Sequence, residues 1–86
     1  MAKVEITPHA KERVFSRVRK DAVGDFLKGV REGVGRLPGG PGPWTVMVLK
    51  NREVLGLAVG KGLVWETTLS GGMTPDKRSQ TVIVKV

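Results

Sequence analysis

The chain has 86 residues, with 15 Lys and Arg against 8 Asp and Glu, a formal charge of +7, one histidine and no cysteine. That length makes one domain with a modest core; the missing cysteines exclude disulfide staples and thiolate metal sites, and a lone histidine leaves a structural zinc site without ligands. With a pI near 10.4, the charge favours a polyanionic partner (RNA, DNA or an acidic protein surface), and no metal or other cofactor is expected.

In chain order, "VEI" at 4–6 reads as a short strand or an extended lead-in. Thr7 is a good N-cap, and Pro8 fits the first helical position, where its missing N–H costs nothing. At about 100° per residue, Ala10, Val14 and Val18 fall on one stripe with Phe15 at its edge, and His9, Arg13, Arg17 and Lys20 fall on another. Asp21 is expected to cap a second helix, in which Val23, Phe26, Leu27, Val30 and Val34 keep the apolar helical period. Gly24, Gly29 and Gly33 weaken that helix, which ends at Gly33 or Gly35. "LPGGPGP" is a loop. Four strands follow, "WTVMVL" (44–49), "VLGLAV" (54–59), "LVWETTL" (63–69) and "TVIVKV" (81–86), all rich in β-branched and aromatic residues. "KNRE" and "GKG" have hairpin length, and "SGGMTPDKRS" (70–79) is a longer basic loop.

These elements predict an α+β fold: two N-terminal helices packed on one face of a four-stranded antiparallel β-sheet, in two layers. The single domain, 1–86, divides into a helical half 7–35, a loop 36–43 and a β half 44–86. The other sheet face is expected to be open and lined by the more polar sets, Glu66 with Thr68 and Thr81 with Lys85. The N-terminus has no apolar signal region, and the most apolar run is broken at Gly60-Lys61-Gly62. A cytoplasmic chain without membrane contact is therefore expected. The single Asn51 and single Gln80 fit a thermophilic source or a GC-rich genome alike.

Three constellations bear on chemistry. Residues 7–20 hold five of the basic side chains and the only histidine. Histidine can move protons near neutral pH, and arginine forks match phosphate oxygens. The bland alternative is a solvated face on which Arg13 or Arg17 pairs with Glu12 or the second helix. Glu66, between Trp65 and two threonines, is placed to deprotonate a ribose 2′-hydroxyl, or else to pair with Lys85 or Lys50 across the sheet. "GGMTPDKR" offers backbone amides with Lys77 and Arg78 as a weak anion nest. It lacks the phosphate-loop pattern of nucleotide hydrolases, and "GVGRLPGGPG" fails as a dinucleotide fingerprint. Trp44 and Trp65 are base-stacking candidates, with a core position the better reading for Trp65.

The helix opening "HAKERVFSR", followed by a second helix and a late strand bearing Thr67 and Thr68, resembles small bacterial and phage proteins with an H-A-x-x-R-x-x-x-R first helix. These lie in or near the RelE/barnase-like group of toxins and RNases. The match rests on His9, Ala10, Arg13 and Arg17, over about fifteen residues plus the order of elements. The resemblance implies two helices on a four-stranded antiparallel sheet and RNA cleavage without a metal. The chain lacks the second histidine and the tyrosine common in such sites.

A small basic nucleic-acid-binding protein follows as the expectation, RNA-directed and toxin- or RNase-like, with His9 and Glu66 as catalytic candidates. Arg13, Arg17, Lys20, Lys77, Arg78 and Lys85 are the nucleic-acid-binding candidates. The alternative is a non-catalytic phage- or mobile-element-type regulator that binds a host protein such as a polymerase. The partner would be RNA or DNA, or an acidic protein such as an antitoxin or host enzyme. Oligomeric state stays open, although an edge strand like "TVIVKV", blunted only by Lys85, is suited to pairing with another copy.

Overall fold

The computed structural model describes residues 4–73 and 77–86. A two-residue strand, β1 (Glu5–Ile6), leads into α1 (Pro8–Arg17). Thr7 caps α1 as expected, its Oγ1 accepting from Ala10 N at 3.1 Å. Ala10, Val14 and Val18 are buried, as their spacing predicted. The helix stops at Arg17 because Val18 turns extended, φ −102° and ψ 137°. A 3₁₀ turn (Lys20–Ala22) then leads into α2 (Val23–Val34). Asp21 is not the cap of α2. It lies inside the 3₁₀ turn, 3.7 Å from Arg19 Nε, and the position before α2 is held by Ala22.

α2 buries Phe26, Gly29, Val30, Gly33 and Val34, whereas Leu27, expected in the stripe, is 40% exposed. Two glycines that read as weak points are contact positions. A methyl on Gly29 would sit 2.5 Å from Val48 Cγ1, and one on Gly33 would overlap Val46. The helix therefore lies close on the sheet, and the helix propensity lost at these positions is exchanged for packing.

The sheet comprises β1, β2 (Pro43–Lys50), β3 (Glu53–Lys61), β4 (Val64–Leu69) and β5 (Gln80–Lys85), in the order β1-β4-β3-β2-β5. It has five strands and is mixed, which corrects the expectation of four antiparallel strands. The hairpin logic holds for β2–β3 and β3–β4, both antiparallel. It fails at the ends: β1 adds to β4 in parallel, and β5 adds to β2 in parallel. β4 and β5 thus run the same way with β3 and β2 between them, so the two strands are not partners in a hairpin.

Trp44, Val46, Val48, Ala58, Trp65 and Val84 form the core with both helices, and Phe26 meets Trp65 at 6.1 Å between ring centroids. Both tryptophans are therefore core residues. Their indole N–H groups are spent internally, Trp44 donating to Gly62 O at 2.9 Å and Trp65 to Thr67 O at 2.8 Å. Neither ring is free to stack a base.

The β2–β3 turn places Asn51 at φ 52° and Arg52 at φ 66°. Two successive positive φ angles make the turn that favours Asn-Gly, and an L side chain at the second position is strained. Arg52→Gly should therefore raise stability by about 0.5–1 kcal/mol, less than the full strain because glycine loses more entropy on folding. Equilibrium urea unfolding checks this; a loss of stability would mean that Arg52 makes a compensating contact.

Candidate nucleic-acid interface

α1 is fixed along β4 by side chains together with one backbone bond, Thr7 N donating to Trp65 O at 3.2 Å. Thr7 Oγ1 donates to Trp65 O at 2.9 Å and to Glu66 O at 3.3 Å. One helix length away, Arg17 Nη1 donates to Thr68 O at 3.1 Å and lies 3.6 Å from Met73 Sδ. Between them Thr68 Oγ1 donates to Ala10 O at 3.3 Å. β1 pairs only with Val64 and Trp65. Beyond it, the outer edge of β4 is bordered by the flank of α1 that carries His9, Arg13 and Arg17.

Thr68 was expected on the open sheet face and is fully buried against α1 instead. The cause is a register shift in β4: Gly60 pairs with Trp65 but Val59 with Thr67, leaving Glu66 as an extra residue. A bulge of this kind resets the in–out alternation, so Trp65 and Thr68 share the helix side. Thr68→Val should cost about 1 kcal/mol, the net worth of one buried hydrogen bond, and leave nucleic-acid affinity unchanged. Thermal unfolding and a binding isotherm on the same sample separate this structural role from a catalytic one.

The sequence-predicted site residues divide into two groups. His9 and Glu66 are exposed, and Arg13 is half-buried with its Nε enclosed and without a hydrogen-bond partner. These three and Arg17 belong to the α1–β4 side, where Thr7, two residues before His9, touches the Glu66 carbonyl. Lys20 leaves the helical line because α1 ends at Arg17, and it sits exposed on the 3₁₀ turn. Lys85 is on β5, three strands from β4, which is about 14 Å at the usual strand spacing. It cannot share a reacting group with His9 and Glu66. Lys77 and Arg78 lead into β5 on that same far side. The "GGMTPDKR" nest includes 74–76, which lie outside the described residues.

Charge pairing sharpens this division. The ion pairs are Arg19 with Asp21 and Glu53, Lys50 with Asp25, and Arg36 with Glu32. Among the described residues none involves His9, Arg13, Arg17, Lys20 or Glu66. Arg13 and Arg17 thus do not pair with Glu12 or with α2, and Lys50 is engaged by Asp25 rather than by Glu66. Among the described residues Glu5, Glu12 and Glu66 also stand outside these pairs, on β1, α1 and β4, so the α1–β4 side sets Lys11, Arg13, Arg17 and Lys20 against three acids. Among the described residues no group of three or more His, Asp or Glu is placed to hold a metal ion, and no helix is long and apolar enough to cross a membrane.

Comparison of the chain with family models, with curated proteins and with solved structures gives no match. The site therefore stands on its own geometry. What sequence reading missed is the row of β4 carbonyls beside the cations, each already taken by a side chain: Trp65 and Glu66 by Thr7, Thr67 by the Trp65 indole, Thr68 by Arg17. No local signal announces it, because the donors lie up to 59 residues away in the chain.

Proposed function

We propose that the protein binds RNA along the α1–β4 edge, with Arg13 and Arg17 engaging phosphates and Lys20 adding charge. The observation that carries this reading is that Arg13 and Arg17, on one flank of α1, take part in no ion pair among the described residues, which leaves both guanidinium charges for an anionic ligand. Arg17 uses one guanidinium nitrogen on Thr68 O and Met73, which holds its planar fork in place for a phosphate; Arg13 has no partner to give up. Fluorescence anisotropy with a labelled single-stranded RNA should show saturable binding at roughly 50 mM salt. A flat signal would end the reading.

Cleavage is the finer form of the same proposal, supported by the resemblance to the RelE/barnase-like group and by two exposed titratable groups beside the cations. The ribose 2′-hydroxyl would attack the adjacent phosphorus, Glu66 or His9 taking its proton while Arg13 and Arg17 stabilise the phosphorane-like charge. The other of these two groups, protonated, gives its proton to the departing 5′-oxygen, leaving a cyclic 2′,3′-phosphate. RNA incubated in EDTA should then be cut by the wild type and at least about a hundredfold more slowly by His9→Ala, the usual loss for a general acid or base. Absence of cutting, or equal cutting by both, removes the catalytic form and leaves the binding form.

A second reading, a regulator that binds a host protein such as a polymerase, is favoured by exposed apolar residues at the β1–β4 end: Ile6, Leu63 and Val64. Capture of that partner by the wild type but not by Leu63→Asp would support it over RNA binding.

A further inference from the structure

The two edges of the sheet are treated differently. On the β4 edge, the carbonyls of Trp65, Glu66 and Thr68 accept side-chain hydrogen bonds, and β1 covers the start of the strand. That edge is blunted against strand addition. β5 forms the other edge, bonded to β2 alone. Among the described hydrogen bonds none joins a side chain to a β5 backbone group. The strand has no proline and no bulge, and its one charge is Lys85. An open edge blunted by a single charge is what folded proteins ordinarily avoid, so one left open opposite one that side chains and β1 cover points to a use.

Which groups face outward follows from the pairing. Val86 N donates to Leu49 O at 2.8 Å. By alternation Val84 and Val82 also turn their backbone groups to β2, and Thr81, Ile83 and Lys85 turn theirs outward. The outward residues are self-complementary. In an antiparallel pair of two β5 strands with the two-fold axis at Ile83, Ile83 opposes Ile83, and Thr81 of one copy opposes Lys85 of the other. All three outward residues then exchange backbone hydrogen bonds, about six in all. A shift of two residues either way loses one of these pairs, and a shift of four toward the C-terminus sets the two lysines against each other. In the centred register, the Ile83 side chains, each 54% exposed in the single chain, meet on the face away from the helices, and Val82 meets Val84 on the helix face.

We propose that β5 is a self-association edge, through which two copies join into one continuous ten-stranded antiparallel-seamed sheet. The α1–β4 flanks then lie on the two outer edges, clear of the seam. The inference goes beyond the RNA reading and does not depend on it, since association is measured without nucleic acid. It also carries the opposite salt dependence. Each copy bears +7, so association tightens as salt screens the repulsion, whereas RNA binding weakens.

Sedimentation equilibrium at roughly 100 μM chain should give twice the 9.3 kDa chain mass. Ile83→Lys, which sets a lysine against its own copy at an already exposed site, should weaken association at least tenfold with an unchanged circular dichroism spectrum. Hydrogen exchange gives a readout independent of that variant: the Thr81, Ile83 and Lys85 amides should be protected in the dimer and lose protection on dilution. A wild type that sediments as a monomer overturns the proposal. So does a dimer in which those amides exchange freely, because that dimer uses another surface.

Discussion

Replacing Gly60 with alanine is expected to destabilise the protein by about 3 kcal/mol and to lower its melting temperature by roughly 15 °C. Gly60 faces Trp65 at the β3–β4 bulge, and a methyl group there would overlap the Trp44 ring and the Val64 carbonyl oxygen. Neither obstacle is a flexible side-chain end. The Trp44 indole is held by its bond to Gly62 O, and Gly62 N in turn donates to Gly42 O at 3.3 Å. Relief would have to open the strand pairing or unlock that loop. Gly24 is the control: it is exposed on α2, with nothing within 4 Å of an added methyl. Gly24→Ala should stabilise by about 0.5 kcal/mol through helix propensity. Thermal melts of both variants decide the matter, and a Gly60→Ala protein within about 0.5 kcal/mol of wild type would refute the close packing.

The second large effect concerns the cations of α1. Arg13→Gln combined with Arg17→Gln should weaken RNA binding at least about a hundredfold at low salt, because each charge-assisted phosphate contact is worth about 1.5–3 kcal/mol. Glutamine keeps some polar reach but removes the charge and the fork. Arg19→Gln removes one formal charge, half that of the double variant, from a residue already 3.2 Å from Glu53, and it should change affinity less than about threefold, as for other solvated surface pairs. Equal losses per charge removed would mean that overall charge, and not this flank, holds the RNA. Circular dichroism of the double variant guards against a folding effect, since Arg17 also bonds Thr68 O.

Much of the helical half was legible in the sequence. The Thr7-Pro8 cap and the Ala10, Val14, Val18 stripe are local patterns, and local physics decides them. The strands were legible one by one from their β-branched runs, and both tight hairpins from their length. The pairing of β5 with β2, and of β1 with β4, was not. A parallel neighbour is chosen by tertiary packing, and the ten residues between β4 and β5 carry no signal of where the chain returns. Thr68 was misplaced for a different reason: strict alternation fails at a bulge, and nothing in "WETTL" marks Glu66 as the extra residue. Gly29 and Gly33 read as helix weakeners because propensity is visible in sequence and a close helix–sheet approach is not. In the candidate site, the helical period alone set His9, Arg13 and Arg17 on one flank of α1. Lys20 was drawn in by the same period, which does not survive the extended backbone at Val18. Lys85 was drawn in by charge, and the strand order separates it from the rest.

The central claim, that Arg13 and Arg17 on α1 bind RNA through its phosphates, is tested most directly by the salt dependence of affinity. Three cations, Arg13, Arg17 and Lys20, released from counterions on a single strand give a slope of log K against log salt of about −2, at roughly −0.7 per contact. In the Arg13→Gln, Arg17→Gln protein the slope should fall to about −0.7. Absence of binding at low salt, or the same slope in both proteins, would contradict the account.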